Sequence, residues 1–395
     1  MRHLVAATAM LALAAPAAAR TIAVAPGPDT QEKLQEALLD AKPGDTVAIA
    51  AGRYELTDGL SLDVNNVTVR GAGLDKTVLS FKGQQGAGEG LLVTSDDVVL
   101  RGFAIEDSKG DGIKSKGADR IVYKDVRVEW TGGPKATNGA YGVYPVESKS
   151  VLVDGAIVRG ASDAGIYVGQ SENIIVRNSV VERNVAGIEI ENSRHADVIH
   201  NVATHNTGGI LVFDLPNLPR GNGGDVRVYQ NAVTQNDTPN FAPPGNIVAQ
   251  VPMGTGVLVM ANDGVLVTEN ALANNATANV MILSYRNPQS DAKYNPLPRN
   301  VVVTQNAHGP AGFAPQLPGG AELAKAMGGA LPPVVWDGTG DPAMLTVTDG
   351  GVLSLGLKAG EAPTAARPAP ADLKRPVPAF RGPVVLPASM EAAAK

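Results

Sequence analysis

Short apolar segments that end on glycine, aspartate or asparagine recur along most of this chain, and this repeat restricts the fold more than any other feature. Examples are VTVRG at 67–71, IIVRN at 174–178 and VVTQN at 302–306. The end positions recur about every 23 residues, with longer intervals where loops are inserted. A second set of segments that begin with glycine, such as GIYV at 165–168 and GIEI at 187–190, keeps the same phase.

This period is typical of one coil of a parallel β-helix, in which short strands are separated by residues that tolerate left-handed backbone. A leucine-rich repeat of similar length would need a leucine and helix pattern that the sequence lacks. One coil cannot bury its own apolar face, so successive coils must stack. We therefore predict an all-β, right-handed parallel β-helix, a single-stranded solenoid of about nine coils. Hydrogen bonds between coils are predicted at one corner for five asparagines, at 178, 201, 231, 270 and 306.

The helical spacing of Leu34, Ala37, Leu38 and Ala41 predicts an amphipathic helix that covers the N-terminal end of the stack. The repeat decays after Asn306, where proline, glycine and alanine become frequent. The predicted organisation is a signal peptide at 1–19, an N-terminal cap with the helix at 20–45, the β-helix at 46–308, a C-terminal cap region at 309–360 and a Pro/Ala-rich tail, extended or disordered, at 361–395.

The first residues have the pattern of a cleavable export signal. Arg2 precedes an apolar run over 4–15, and three alanines precede Arg20. The run is too short to span a bilayer, and no later stretch is long and apolar enough, so we expect a periplasmic or secreted protein without a transmembrane anchor. The chain has no cysteine, which excludes disulfides and a lipid-modified N-terminal cysteine. With 33 basic and 39 acidic residues, the net charge of −6 makes nucleic acid an unlikely partner.

Function must lie on an outer face or in inserted loops, because the interior of a β-helix is packed. Counting from the glycine that opens each segment of the second set, strand alternation points the second and fourth following residues outward. Along the stack these outward positions change from lysines (Lys114, Lys116) through tyrosines (Tyr144, Tyr167) to glutamates. The row then becomes apolar, with Leu211, Phe213, Leu258, Met260, Met281 and Leu283.

The polar half of this row has the composition of a saccharide cleft. A lyase or epimerase that acts on an acidic polysaccharide needs a cation for the substrate carboxylate and a base for the C5 proton, and Lys114, Tyr144 and Tyr167 are catalytic candidates for those tasks. Glu189 and Glu191 lie two apart on one strand and could act as a carboxylate pair in glycoside hydrolysis, the less favoured reaction.

Further candidates lie beside the row and in the two long insertions at 214–224 and 237–253. Lys116, Asp214 and Arg220 are predicted to contact substrate. Asp107 and Asp111 precede Lys114 and could hold calcium through oxygen ligands. Loops this long in a regular scaffold are usually functional or cover something.

Residues 165–219 and 240–260 together resemble one family. The run GIYVGQSENIIVRNSVVERNVAGIEIENSRHADVIHN, with its continuation to 219, and NFAPPGNIVAQVPMGTGVLVM are similar to exported bacterial parallel β-helix repeat-containing proteins of the pectate-lyase-like superfamily. The similarity extends from about residue 21 to residue 308. It implies the fold and export, and it implies no established activity. Members tend to be encoded beside a second exported protein, which the resemblance offers as a partner.

The sequence thus supports two functions of different kinds. The first is a secreted β-helix protein that binds, and by a lyase- or epimerase-type reaction processes, an acidic polysaccharide. The alternative is a non-enzymatic periplasmic binding or assembly protein that docks a partner protein on the exposed apolar half of the row. The first requires an accessible stretch from Lys114 to Glu191, and the second requires Leu211 to Leu283 to be uncovered.

Overall fold

Three parallel sheets, each running the length of the molecule, form the structure. The computed structural model describes residues 19–86 and 88–395, and the expected signal peptide therefore lies outside the described residues except for its last position. The strands of sheet A, in spatial order, are Thr21–Val24, Thr46–Ile49, Thr68–Arg70, Val99–Arg101, Ile121–Lys124, Lys149–Asp154, Glu172–Arg177, Arg194–Ile199, Gly224–Tyr229, Asp263–Thr268, Arg299–Thr304 and Leu345–Val347.

The other two sheets complete each coil. The strands of sheet B are Gly52–Glu55, Thr77–Ser80, Ala104–Glu106, Arg127–Glu129, Ile157–Arg159, Val180–Glu182, Val202–Thr204, Ala232–Thr234, Ala271–Ala273 and Ala307–His308. Those of sheet C are Leu60–Leu62, Leu91–Val93, Ile113–Lys116, Tyr141–Val146, Ala164–Gly169, Ala186–Glu191, Gly208–Phe213, Thr255–Met260, Ala278–Leu283, Val334–Trp336 and Val352–Ser354, with Ala369–Ala371 added antiparallel at the end. Each strand pairs with the equivalent strand of the next coil, so the predicted parallel β-helix is confirmed.

The interior is a ladder of stacked aliphatic side chains. Ile166, Ile188 and Ile210 occupy the same position in successive coils of sheet C and are fully buried in the central core. Ile190 lies two positions after Ile188, also points inward and is fully buried. The predicted inward register is therefore correct on sheet C.

Two columns of buried asparagines link the coils. In the first, the side-chain amide of Asn201 donates to Asn231 at 3.0 Å, and the column continues through Asn270 to Asn306. Asn178 is predicted in this column but lies outside it, and its side-chain amide donates to Asp154 at 3.0 Å. Ser179 occupies the column position before Asn201, and its backbone amide donates to the side chain of Asn201. A second column, which the sequence analysis missed, contains residues 184, 206, 236 and 275.

The ends of the stack extend beyond the coils seen in the repeat. Ten to twelve strands per sheet replace the expected nine coils, because the terminal strands lack the repeat's closing residue. The predicted helix is Thr30–Asp40, and its Leu34 and Leu38 are buried against the first coils. The other helices are Gly320–Ala326 and Ala388–Ala393, with short 3₁₀ turns at Ile247–Gln250, Pro342–Met344 and Pro363–Ala365.

The tail at 361–395 is extended and ordered, and it packs back along the outer face of sheet A. Its Leu386 and Met390 are buried on Val122, Leu152 and Ile175, three outward-facing residues of sheet A. The guanidinium of Arg177 contacts the tail residue Glu391 at 2.8 Å. The proline-rich composition predicts an extended or disordered tail; the few large apolar residues of the tail pack on an apolar strip of the sheet. Within residues 19–86 and 88–395, no helix is both long enough and apolar enough to cross a membrane.

The inward register predicts a large cost for a charge at position 190. Ile190→Asp places an unpaired carboxylate in a dry ladder, and we expect it to lower the free energy of unfolding by at least about 3 kcal/mol. Chemical denaturation of both proteins measures this difference. Lys116→Ala, at an exposed position of the neighbouring row, serves as the control and should change stability by less than about 0.5 kcal/mol. An Ile190→Asp protein as stable as the parent would contradict the register.

Candidate functional site

The outward row predicted from the sequence is present on sheet C. Lys114 pairs in register with Tyr144, and Tyr167 pairs with Glu189 in the following coils. Glu189 is followed by Leu211, which begins the apolar half of the row. The polar and apolar halves therefore adjoin on one continuous face.

Much of this face is covered, contrary to the expectation that it faces solvent. Tyr167, Glu189 and Glu191 are only 4%, 1% and 6% exposed. In the apolar half, the described side chains from Leu211 to Met281 are also buried. Strand alternation reports which face a side chain occupies and carries no information about what packs on that face.

The cover consists of the long insertion at 237–253 and a second loop at 284–298. Val248 and Val251 of the insertion join the buried cluster around Leu211 and Leu258. On the second loop, the hydroxyl of Tyr294 donates to the backbone carbonyl of Asp214 at 2.6 Å. A cavity of only about 100 Å³ remains between the two loops and the sheet. The exposed apolar face that a docked partner protein would require is therefore absent from this part of the structure, and that expectation is wrong.

The row is accessible at its N-terminal end, around Lys114 and Tyr144. The ammonium of Lys114 lies 3.0 Å from the carboxylate of Glu89 and 3.5 Å from that of Asp111. It also lies 5.0 Å from the centre of the Tyr144 ring. Lys114 and Glu89 expose about a quarter of their side chains, and Tyr144 is half-buried. We call these four residues the open end of the site.

Three tyrosines connect the open end to the covered part. The ring of Tyr141 lies 4.5 Å from the rings of both Tyr144 and Tyr167, and the latter two are 4.9 Å apart in an edge-to-face arrangement. Such packing fixes the rings by their mutual contacts. The face of an aromatic ring is also a common contact surface for a sugar, and the half-buried Tyr144 lies at the accessible edge of this cluster.

Burial and charge set the protonation states at the open end. Burial raises the pKa of Asp111 to about 6, in spite of the opposing charge of Lys114. Burial raises the pKa of Tyr144 to about 12, again against the effect of Lys114. Burial alone would lower the pKa of Lys114, but the hydrogen bond that it donates to Glu89 and the charge of Asp111 raise it overall. Near pH 7, Asp111 is thus mostly ionised, Tyr144 is a neutral phenol and Lys114 is a cation.

A group of carboxyls lies under the cover, and we call Asp163, Glu189 and Glu191 the covered carboxyls. The hydroxyl of Tyr167 donates to Glu191 at 2.6 Å, and the amide of Asn246, from the insertion, donates to Asp163 at 3.0 Å. Burial raises the pKa of Asp163 and of Glu191 to about 7, with the charge of Glu191 adding to the effect on Asp163. Burial together with these two neighbours raises the pKa of Glu189 well above its usual value. Since its pKa is raised well above the usual value, Glu189 holds a proton at neutral pH.

The predicted substrate-contacting residues are dispersed. Lys116 is exposed and lies 3.8 Å from Glu147. Asp214 is buried and accepts a hydrogen bond from the backbone of Gly223 at 2.9 Å. Arg220, on the same loop as Asp214, lies 3.8 Å from Glu172. The structure does not bring these three residues together at the open end.

The two aspartates predicted to hold calcium have separate protein partners. Asp107 accepts hydrogen bonds from the backbone and hydroxyl of Thr131 at 2.7 and 2.6 Å. Asp111 instead accepts from the backbone of Tyr141 at 3.2 Å and contacts Lys114. Across residues 19–86 and 88–395, no cluster of three or more histidine, aspartate or glutamate side chains has the arrangement of a metal site.

Four residues of the site were missed from the sequence: Glu89, Tyr141, Asp163 and Asn246. Asp111 and Tyr141 each directly precede the glycine that opens a segment of the second set, and they occupy equivalent positions in adjacent coils. Extending the outward row by that one position would have found Tyr141 and placed Asp111 beside Lys114. Asn246 belongs to a loop, and nothing in its sequence indicated where the loop would lie.

Comparisons with known proteins support the fold. Residues 57–219 match the family described as right handed beta helix region. A sequence comparison with curated proteins gave no match. Among solved structures, the A-module of the mannuronan C-5 epimerase AlgE4 from Azotobacter vinelandii is similar, with a TM-score of 0.59 and 15% identity over 81% of this chain and 90% of that chain.

Two other solved structures have the same architecture. DFA-IIIase from Arthrobacter chlorophenolicus A6 has a TM-score of 0.56 and 13% identity, over 88% of this chain and 99% of that chain. The catalytic unit of an α-1,3-glucanase from Streptomyces thermodiastaticus has a TM-score of 0.51 and 16% identity, over 85% of this chain and 53% of that chain. At such identities the likeness concerns the fold alone. Together with the three parallel sheets, it shows that the chain folds as a right-handed parallel β-helix.

Proposed function

We propose that this protein binds an acidic polysaccharide across the open end of sheet C and moves a proton at a uronate unit, as a lyase or an epimerase does. The observation that carries the proposal is the grouping of the buried carboxylate of Asp111 with the partly exposed Lys114 and Tyr144. The similar structures named above include enzymes whose names place their action on saccharides, which supports a carbohydrate as the substrate class.

Each of the three residues has a protonation state suited to one task. Asp111 is mostly ionised near pH 7, and a pKa of about 6 is close to the value that general base catalysis favours at that pH. Lys114 supplies the positive charge that stabilises the substrate carboxylate as charge develops on it. Tyr144 keeps its proton, so it can donate to the leaving oxygen in elimination or to C5 in epimerisation.

In the free protein the cation at the open end is already paired. Glu89 and Asp111 both contact Lys114, so the three residues together carry a net negative charge. A substrate carboxylate must therefore displace Glu89, which lies on the more exposed side of the lysine. Removing the charge of Glu89 should strengthen substrate binding, and this distinguishes the proposed use of Lys114 from a purely structural ion pair.

The covered carboxyls support a second candidate, glycoside hydrolysis by Glu189 and Glu191. The observation in its favour is that both side chains lie on the same strand face, where Glu189 keeps its proton and the pKa of Glu191 is about 7, so an acid lies near a partly ionised carboxylate. The two groups are almost fully buried beneath the insertion at 237–253, so substrate would reach them only after that loop moves. This requirement makes the open end the better-supported site.

Activity against polyuronates tests the proposed site. We expect the purified protein to act on alginate or polygalacturonate, giving either an unsaturated product, detected by ultraviolet absorbance, or incorporation of deuterium at C5 from heavy water, detected by NMR. Asp111→Asn should lower turnover at least about 100-fold, since it removes the base, and Glu89→Gln should lower KM. Assays with and without calcium test the predicted metal requirement.

Lys116→Ala is the matched control, because it removes an exposed lysine from the same strand and should leave turnover unchanged. Release of reducing ends without an unsaturated product, lost in Glu191→Gln, would favour hydrolysis by the covered carboxyls. Full turnover in Asp111→Asn, or no reaction with any polyuronate, would contradict the proposed site.

The covered carboxyls also predict that stability falls as pH rises. Since folding raises the pKa of Asp163 and Glu191 to about 7, the folded state holds protons that the unfolded chain releases near pH 4 to 5. The contribution of these bound protons to the free energy of unfolding is therefore fully present at about pH 4, and it is lost as the pH rises through 7. Glu191→Gln removes one of these charges and should raise the free energy of unfolding at pH 8 by about 2 kcal/mol.

Denaturation at pH 5 and pH 8 measures this effect. The stability difference between the two pH values should be smaller in Glu191→Gln than in the parent. Glu147→Gln, at a more exposed glutamate on the same face, should keep the parent's difference. A parent protein that is more stable at pH 8 than at pH 5 would contradict this prediction, because it would show that ionisation of these carboxyls does not destabilise the folded state.

A further inference from the structure

The tail at 361–395 forms one wall of a cavity. The cavity lies at the N-terminal ends of several strands of sheet A. The cavity measures about 510 Å³, and its lining includes Arg194, His195, Arg299, Phe380 and Arg381. The first three of these residues belong to sheet A, and the last two belong to the tail. Ligand pockets commonly have volumes of about 300 to 1,000 Å³, so the cavity has room for one or two sugar rings.

The tail is fixed at this cavity by Arg381. Its guanidinium donates to the backbone carbonyls of Ala196 at 3.1 Å and Asp225 at 2.9 Å, and it contacts the carboxylate of Asp197 at 3.2 Å. The backbone amide of Val384 donates to the same aspartate at 2.9 Å. The wall that the tail provides is thus held by several contacts to sheet A and does not depend on a single one.

The cavity carries positive charge on a protein that is negative overall. Three arginines line it, against the carboxylates of Asp225 and Asp263. Asp225 contacts His195 at 3.2 Å and Arg381 at 2.9 Å, and Asp263 contacts Arg299 at 3.3 Å. Among the residues that line the cavity, three arginines thus face two carboxylates, a single positive charge in excess; Asp197, which contacts Arg381 from outside the lining, is itself paired with Arg227 at 2.5 Å.

Two of the arginines have donor groups available for a ligand. Arg194 is exposed and uses its Nε to donate to the backbone carbonyl of Asn222 at 2.8 Å. Within residues 19–86 and 88–395, its two terminal amino groups make no hydrogen bond to the protein, and the same is true of Nη2 of Arg299. A planar guanidinium with two free amino groups matches the geometry of a carboxylate.

We propose that this cavity is a binding site for a saccharide that bears one carboxylate, with Arg194 and Arg299 as the anion contacts. A single excess positive charge suits a monoanion, whereas Asp225 and Asp263 would repel a doubly charged phosphate. The ring of Phe380 provides an apolar wall for the C–H face of a sugar. This site is separate from the open end of sheet C, and the proposal does not depend on the reaction assigned there.

Calorimetry with galacturonate, a single sugar ring with one carboxylate, tests the site. The full chain carries Lys114→Ala in every sample, so that binding at the open end of sheet C is weakened throughout. We expect Arg194→Ala with Arg299→Ala to lower the affinity at least tenfold, and Phe380→Ala to lower it less. Arg183→Ala is the matched control, because it removes an arginine from another cavity of similar volume, and it should bind as the parent does.

The comparison ligands are galactose, which is uncharged, and inorganic phosphate. Equal binding of galactose, tighter binding of phosphate than of galacturonate, or unchanged affinity in the double variant would each overturn the proposal. Melting temperatures within a few degrees of the parent show that the variants are folded. Turnover is measured separately without the Lys114→Ala change, so failure of the open-end proposal would leave the cavity result intact.

Discussion

Stacking of successive coils in register is the constraint on which every other feature of this protein depends. The aliphatic ladder that includes Ile166, Ile188 and Ile210 is buried only because each coil covers its neighbours. The asparagine columns add side-chain hydrogen bonds between coils at the corners, where the backbone turns. Because equivalent residues are placed one above the next at about 4.8 Å, a short stretch of each coil is enough to build an extended functional surface.

On the outer face of sheet C, this stacking places ionisable groups in one row, and these groups differ in how deeply they are buried. At the open end, Lys114 retains access to solvent, and both it and the buried Asp111 are charged near pH 7. Three coils further on, Glu189 and Glu191 lie under an inserted loop and retain a proton. The same row therefore changes from a charged, accessible patch to a protonated, covered one. Only the accessible patch can bind a substrate without movement of the covering loop.

The sequence predicted the elements that depend on periodicity. Helical spacing predicted the capping helix, and the strand repeat predicted the β-helix and the outward direction of Lys114, Tyr144 and Glu189, because alternation and period are properties of the local chain. The length of the insertion at 237–253 indicated a covering role, but not which carboxyls it would cover. The insertion reaches back two to three coils to contact Asp163 through Asn246, and no local pattern reports such a contact. For the same reason the ordered path of the tail along sheet A was not predicted.

The central claim is that a uronate binds at the open end of sheet C, and a crystal structure of the Asp111→Asn protein with tri-galacturonate tests it most directly. The account predicts a saccharide lying over the ring of Tyr144, with one carboxylate in contact with the ammonium of Lys114 and the side chain of Glu89 displaced. A saccharide found only elsewhere, with Glu89 still paired to Lys114, would contradict the account.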